Sequence, residues 1–180
     1  MFLETERLLL RKLQQEDCAD FCEFAVDPER NRMMGNSGIS TMDDARGLFE
    51  WLMENEPRIY AIVRKESGKV IGDFTVYDKV SDDLTALPEL AGKTGRSLSF
   101  SISRAYQRQG LISEAVRAVT AYLFQVEGVD YIISGCFDFN IPSIELHKKL
   151  GFSYLTTHRH LADGEEHTGI EHILWRETVQ

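Results

Sequence analysis

Between residues 97 and 126 the chain changes period at a single glycine. Ser97 to Ser103 alternate strictly, with Leu98, Phe100 and Ile102 on one side and Ser97, Ser99, Ser101 and Ser103 on the other. That two-residue period is the signature of a β-strand. A polar stretch from Arg104 to Gln109 leads to Gly110. Beyond it, Ile112, Ala115, Val116, Val119, Tyr122, Leu123 and Val126 recur at spacings of three and four, one face of an amphipathic helix. A strand joined to a helix through a glycine turn confines the chain to folds that mix the two elements. The apolar side of the strand belongs on a core. The serine side faces solvent or lines a cleft.

The remaining pattern agrees. Thr5 to Leu13 reads as a strand, and Gln15 to Val26 as a helix ended by Asp27-Pro28, because proline disfavours helix in the residue before it. Thr41 to Glu54 is a second helix, with Thr41 as its cap. Arg58 to Arg64 and Lys69 to Tyr77 form a hairpin through Glu66-Ser67-Gly68. Val80 to Arg96 has no clear period and reads as a long loop with room for one helical turn. Tyr131 to Phe137 is an apolar strand. Ile141 to Leu150 is a short helix stopped by Gly151. Phe152 to Leu161 and Gly169 to Trp175 are two last strands around Asp163-Gly164. The order predicts one mixed α/β domain over residues 1–180.

With 43% hydrophobic and 27% charged residues, the composition is that of an ordinary globular protein of 180 residues. No apolar run approaches the ~20 residues that span a bilayer. Met1 to Leu13 carries charge throughout and lacks the apolar centre of a signal peptide. A cytoplasmic location without membrane contact is therefore expected. The net charge of −9 argues against nucleic-acid binding, which needs a basic face, and is compatible with a cationic acceptor such as an amine. Mild acidity is also common in soluble proteins and needs no special cause. The cysteines, Cys18, Cys22 and Cys136, lack the close paired spacing of a zinc site, and no metal is expected. Cys18 and Cys22, one helical turn apart, read as small buried groups, with a disulfide or metal pair as the alternative.

Two segments carry chemistry. A helix N-terminus offers free N–H groups and partial positive charge. The entry Gln107-Arg108-Gln109-Gly110-Leu111-Ile112 has no good capping acceptor, so an anion such as a pyrophosphate could complete it, with Arg108 adding charge. An ordinary glycine turn hydrated by water reads equally well. In the second segment, Asn140, Ser143 and His147 share one helix stripe. They could hold a ligand and move a proton, or Asn140 could cap the helix, with Pro142 in its first turn and Ser143 and His147 solvated.

Together these segments resemble the GNAT superfamily of acetyl-CoA-dependent N-acetyltransferases. The likeness is strongest to its ribosomal-protein alanine acetyltransferase branch, the RimJ/RimL type. The family's Arg/Gln-x-x-Gly-x-Gly/Ala motif reads Gln107-Arg108-Gln109-Gly110-Leu111-Ile112, with Ile112 in place of the small final residue, and Glu114-Ala115 continues it. Asn140, Ser143 and Lys149-Leu150-Gly151-Phe152 match the second motif. Glu4-Thr5-Glu6-Arg7-Leu8-Leu9-Leu10-Arg11 matches the branch's usual start. The resemblance implies a mixed, mostly antiparallel sheet with a central splayed strand pair and about four flanking helices. It also implies acetyl-CoA as cosubstrate and transfer of its acetyl group to a primary amine, on a protein N-terminus or a small molecule. Exposed strand edges in this fold often pair into homodimers.

Carried over by position, the resemblance gives Ile102 and Arg104 the backbone contacts to pantetheine. It places the pyrophosphate on the N–H groups from Arg108 to Ile112 and sets Asn140 against the pantetheine. The amine attacks the thioester directly, the oxyanion is met by N–H donors near Ile102, and Ser143 or His147 supplies the proton or hydrogen bond that the thiolate needs. The base is open: Ser97 stands where relatives carry Glu, leaving Asp138, Glu171, His158, His160, His172 or a water relay. Cys136 could meet the CoA sulfur or be a buried structural thiol. A different class of function is a CoA-binding sensor or interaction module without turnover.

Overall fold

The computed structural model describes residues 1–36, 38–162 and 165–179. Strands β1 (Leu3–Glu4), β2 (Leu8–Lys12), β3 (Ile59–Arg64), β4 (Val70–Tyr77), β5 (Gly95–Ile102), β6 (Tyr131–Phe137), β7 (Ser153–Ala162) and β8 (Glu165–Trp175) are ordered β1-β2-β3-β4-β5-β6-β8-β7 in one sheet. The helices are α1 (Cys18–Ala25), α2 (Pro28–Met34), α3 (Met42–Asn55), α4 (Asp82–Thr85), α5 (Leu111–Gln125) and α6 (Ile141–Lys149). Pairs β1–β2, β2–β3, β3–β4, β6–β8 and β7–β8 are antiparallel. Strands β5 and β6 are parallel, and their ladder joins Gly95–Leu98 to Tyr131–Ser134. This is the mixed, mostly antiparallel α/β sheet expected. The Asp163-Gly164 turn lies outside the described residues. No helix among those described is long and apolar enough to cross a membrane.

The chain packs as two compact units, Met1–Thr75 with Phe100–Ala118, and Val76–Ser99 with Val119–Gln180. In the first, Phe21, Cys22, Phe24 and Ala25 of α1 meet Ala45 and Phe49 of α3 and the apolar side of β3 in one buried cluster. Cys18 packs against it, with its sulfur 3.8 Å from that of Cys22 and both thiols free. A reciprocal capping box between Thr41 and Asp44 starts α3.

The sequence suggests about four helices, whereas six α-helices occur among the described residues. One addition is α2. Asp27 accepts a hydrogen bond from the Arg30 N–H, Pro28 occupies the first helical position, and Gly35 ends the helix at φ 70°. Asp27-Pro28 therefore closes one helix and opens the next, since proline is suited to a helix's first turn. The other is α4, a single turn in the segment read as a loop, followed by a 3-10 turn at Pro88–Leu90. Val80 and Leu90 are buried there with Tyr131, Ile133 and Ile173, and Leu84 and Leu87 pack alongside. That segment roofs one face of β6 and β8 in the second unit.

Helix α2 also places a charge inside the first unit. The Arg30 guanidinium lies 3.1 Å from Asp73 and donates to Ser101 Oγ at 3.0 Å, and Ser101 Oγ donates to Asp73 at 2.5 Å. All three residues are buried. Arg30 also lies over the rings of Phe21 and Phe24, at 6.0 and 5.4 Å. Ser101, read from the alternation as facing solvent or a cleft, is thus committed to a buried ionic network.

A second network ties the N-terminus to the start of α5. Glu114 accepts from Thr5 Oγ1 at 2.6 Å, from the Arg7 N–H at 2.9 Å and from Arg7 Nε at 2.7 Å. Arg7 Nη1 also donates to the Gln109 carbonyl at 3.0 Å. Burial raises the Glu114 pKa, but the hydrogen bonds from Thr5 and Arg7 and the Arg7 charge outweigh it, so the net shift is downward.

Asp73→Ala leaves Arg30 buried without its counter-charge and costs about 3–5 kcal/mol in urea unfolding, whereas Asp73→Ala combined with Arg30→Leu recovers most of that loss. Glu114→Gln costs about 2 kcal/mol at pH 7. Because the folded pKa is depressed, the wild-type advantage is complete above the ordinary carboxylate range near ~4. It shrinks as pH falls through that range and below, which unfolding midpoints of the two proteins at pH 7, 5 and 3.5 would show.

Candidate active site

In the first unit, β5 ends at Ile102, which is buried. The Ser103 N–H then donates to the Ile71 carbonyl at 2.7 Å, and Gln107 Nε2 donates to the Ile102 carbonyl at 3.3 Å. Arg104, expected to contact pantetheine through its backbone, is exposed and lies in a 3-10 turn (Arg104–Tyr106). Gln107, Arg108, Gln109 and Gly110 are exposed, Leu111 is buried and Ile112 is half-buried. Two left-handed residues shape this turn: Gly110 at φ 77° and Arg108 at φ 60°, the one non-glycine residue with positive φ among those described. A side-chain-bearing residue in that region is strained by about 1 kcal/mol, and such strain gathers at functional sites. The N–H groups that open α5 therefore sit behind an exposed, conformationally fixed turn with a cationic side chain.

In the second unit, the Asn140 side-chain oxygen accepts from the Ser143 N–H at 3.2 Å and caps α6. The capping role left open by the sequence is realised, with Pro142 in the first turn. Strand alternation then divides the chemistry between the two faces of β6 and β8. One face holds Ser134, Cys136 and His172, and α6 brings Ser143 and His147 to it. His147 is not a solvated helix residue: it is 0% exposed, and its ring stacks on that of His172 at 4.5 Å between centroids and 11° between planes. Burial, then the facing His172, push the His147 pKa down to about 3, against a hydrogen bond to the Ser143 backbone. Burial also lowers the pKa of His172. Both imidazoles are neutral near pH 7. Burial raises the pKa of the Cys136 thiol, opposed by its hydrogen bond to the Ser143 side chain.

Donor atoms of Cys136, His147 and His172 lie within 4.8 Å of one another, a set of ligand types suited to a soft metal ion. An imidazole binds a metal in its ring plane, however. Two stacked, nearly parallel rings do not aim their lone pairs at one point. As arranged, the three form a neutral, polarisable wall rather than a coordination sphere.

The opposite face carries Gly135 and Glu171, paired across the ladder. The carboxyl group of Glu171 lies over Gly135, so close that an added Cβ would sit 2.7 Å from Oε1. His158 Nδ1 is 3.6 Å from Glu171 Oε1. Burial raises the Glu171 pKa, with His158 opposing. Among the other candidate bases, Asp138 is exposed, and the side chain of His160 lies outside the described residues. Nothing in the sequence ranks Glu171 above them, because the register that sets it across from a glycine is a tertiary fact.

Residues 7–153 match the acetyltransferase (GNAT) domain family. The chain is 28% identical over 157 residues to the uncharacterized N-acetyltransferase p20 of Bacillus licheniformis, covering 83% of this chain and 81% of that one. Its fold is similar to that of a GNAT-family acetyltransferase from Bacillus anthracis, with TM-score 0.82 and 20% identity over 98% of this chain and 99% of the other. It is also similar to that of a ribosomal-protein-S5-alanine acetyltransferase from Vibrio fischeri, with TM-score 0.68 and 16% identity over 100% and 99%. The match spans most of the chain and contains both the turn at Gly110 and helix α6, so this protein belongs to the GNAT acetyltransferase family.

Proposed function

We propose that this enzyme transfers the acetyl group of acetyl-CoA to a primary amine by direct attack on the thioester, acting as one functional domain over residues 1–180. The observation that carries this reading is the turn from Gln107 to Ile112. Its backbone is held left-handed at Arg108 and Gly110, and Arg7 fixes it by bonding both Gln109 and Glu114. A diphosphate is the anion that such a turn suits, meeting several N–H groups and a positive helix end together.

In this reading acetyl-CoA supplies the activated acyl group. Residues Arg108 to Ile112 hold its pyrophosphate. The Asn140 oxygen is spent on the helix cap, so its amide nitrogen is the end that meets a pantetheine carbonyl. N–H donors near Ile102 stabilise the oxyanion. The thiolate is met from the face that carries Cys136 and Ser143. Ser143 donates the hydrogen bond to the leaving sulfur. His147, with a pKa near 3, is a poor proton donor at neutral pH and acts by shaping the neutral wall behind Ser143. The likeness to the ribosomal-protein-S5-alanine acetyltransferase supports a RimJ/RimL-type reading. A protein N-terminus among the acceptors and the cytoplasm as the working compartment belong to the same proposal.

Release of free CoA thiol from acetyl-CoA, measured against a panel of primary amines, tests the reading. Amine-dependent release is expected. Saturable CoA binding without release from any amine would point instead to a CoA sensor, and absence of CoA binding would overturn both. Ser143→Ala is expected to lower kcat about 10- to 100-fold with CoA affinity unchanged. Gly110→Val, which forces a β-branched side chain to φ 77°, is expected to raise the KM for acetyl-CoA about tenfold.

A further inference from the structure

The face of β6 and β8 opposite Cys136 and Ser143 is hollowed by two glycines. Gly135 pairs with Glu171 and Phe137 with Gly169, so Gly135 and Gly169 lie diagonally on one face. Two longer side chains lean into the space. Glu171 covers Gly135, and the His158 ring covers Gly169 so closely that an added Cβ there would sit 2.5 Å from it. Beside the hollow, Phe137 stacks on Phe139 at 5.1 Å, and His167 meets both rings edge-on at 5.6 and 5.4 Å.

The Glu171 side chain is only 14% exposed. A carboxylate so enclosed is costly unless a cation meets it. The neighbouring imidazole at 3.6 Å is half-exposed and too distant for a strong hydrogen bond. A carboxyl group on the same strand face as an aromatic side chain, here Phe137, suits an ammonium group carried on an apolar or aromatic frame. In direct acyl transfer the group that deprotonates the amine and the group that meets the thiolate must both reach one carbonyl carbon. The β5–β6 ladder ends at Ser134, so a thioester lying along the edge of β6 at Gly135 and Cys136 is met by Glu171 from one face and by Ser143 and Cys136 from the other.

We propose, building on the acetyl-transfer reading above, that Glu171 binds the acceptor's ammonium group and acts as the general base, with Phe137, Phe139 and His167 packing against the adjoining carbon frame. The acceptor is then a primary amine carried on an aromatic or large apolar group. Glu171 takes one proton from the ammonium and passes it to water. The amine lone pair forms the C–N bond. The C–S bond breaks with its electron pair left on sulfur, and the thiolate takes the proton that nitrogen sheds on becoming an amide.

The test uses the full chain, acetyl-CoA, and four probes: 2-phenylethylamine, phenylalanine amide, butylamine and spermidine. Wild type is expected to favour the two aromatic amines over butylamine about tenfold in kcat/KM. Glu171→Gln is expected to lose about 100-fold in kcat and to raise the amine KM, while CoA affinity and melting temperature hold. Glu171→Asp, with its shorter reach, is expected to recover part of the rate. Gly135→Ala, which displaces the carboxyl group from outside the residue itself, is expected to mimic Glu171→Gln. Undiminished transfer by Glu171→Gln, with CoA binding intact, would overturn the assignment and leave the acetyl-transfer reading standing. No preference for the aromatic amines would overturn the proposed acceptor class. Absence of amine-dependent release from wild type would remove the acetyl-transfer reading and this proposal with it.

Discussion

Glu114 accepts hydrogen bonds from Thr5 and from the backbone and side chain of Arg7, across a separation of more than a hundred residues. The site is built on this clamp. Glu114 stands in the first turn of α5, where a carboxylate also interacts favourably with the helix dipole. Through Arg7 it reaches the Gln109 carbonyl, so the N-terminal segment holds both ends of the glycine turn. With those ends fixed, the backbone from Arg108 to Ile112 can keep one conformation in the absence of an anion. Preorganisation of this kind lowers the ordering cost of binding.

The second organising fact is the alternation of β6. Successive residues point to opposite faces, so Gly135 and Cys136 serve different chemistry although they are neighbours in sequence. The Cys136 face is covered by α6, and its two histidines are held neutral by burial. The Gly135 face is roofed at one end by the Val80–Leu90 segment and carries Glu171 at the other.

How much of this was legible follows the range of each interaction. Local signals gave the strand–turn–helix at Gly110, the Thr41 cap and the Asn140 cap, because period and capping chemistry act within a few residues. Helix α2 was hidden because Asp27-Pro28 marks a start as well as an end. The roof over β6 had a readable trace in the spacing of Val80, Leu84, Leu87 and Leu90, obscured by Pro88, Gly92 and the surrounding charges. The burial of His147 was not legible, since its helix stripe says nothing of what α6 packs on. Nor was the placement of Glu171, which depends on a cross-strand register and a missing Cβ. The Glu114 clamp was visible only as a resemblance between two distant motifs, without its physical cause.

The central claim is that the turn before α5 cradles a diphosphate. Calorimetric titration of the protein with CoA and with pantetheine, which lacks the pyrophosphate and nucleotide, tests it most directly. The account predicts that CoA binds at least about 100-fold more tightly, a difference of about 2.7 kcal/mol, and that its affinity falls as salt rises. Equal affinity of CoA and pantetheine would contradict it.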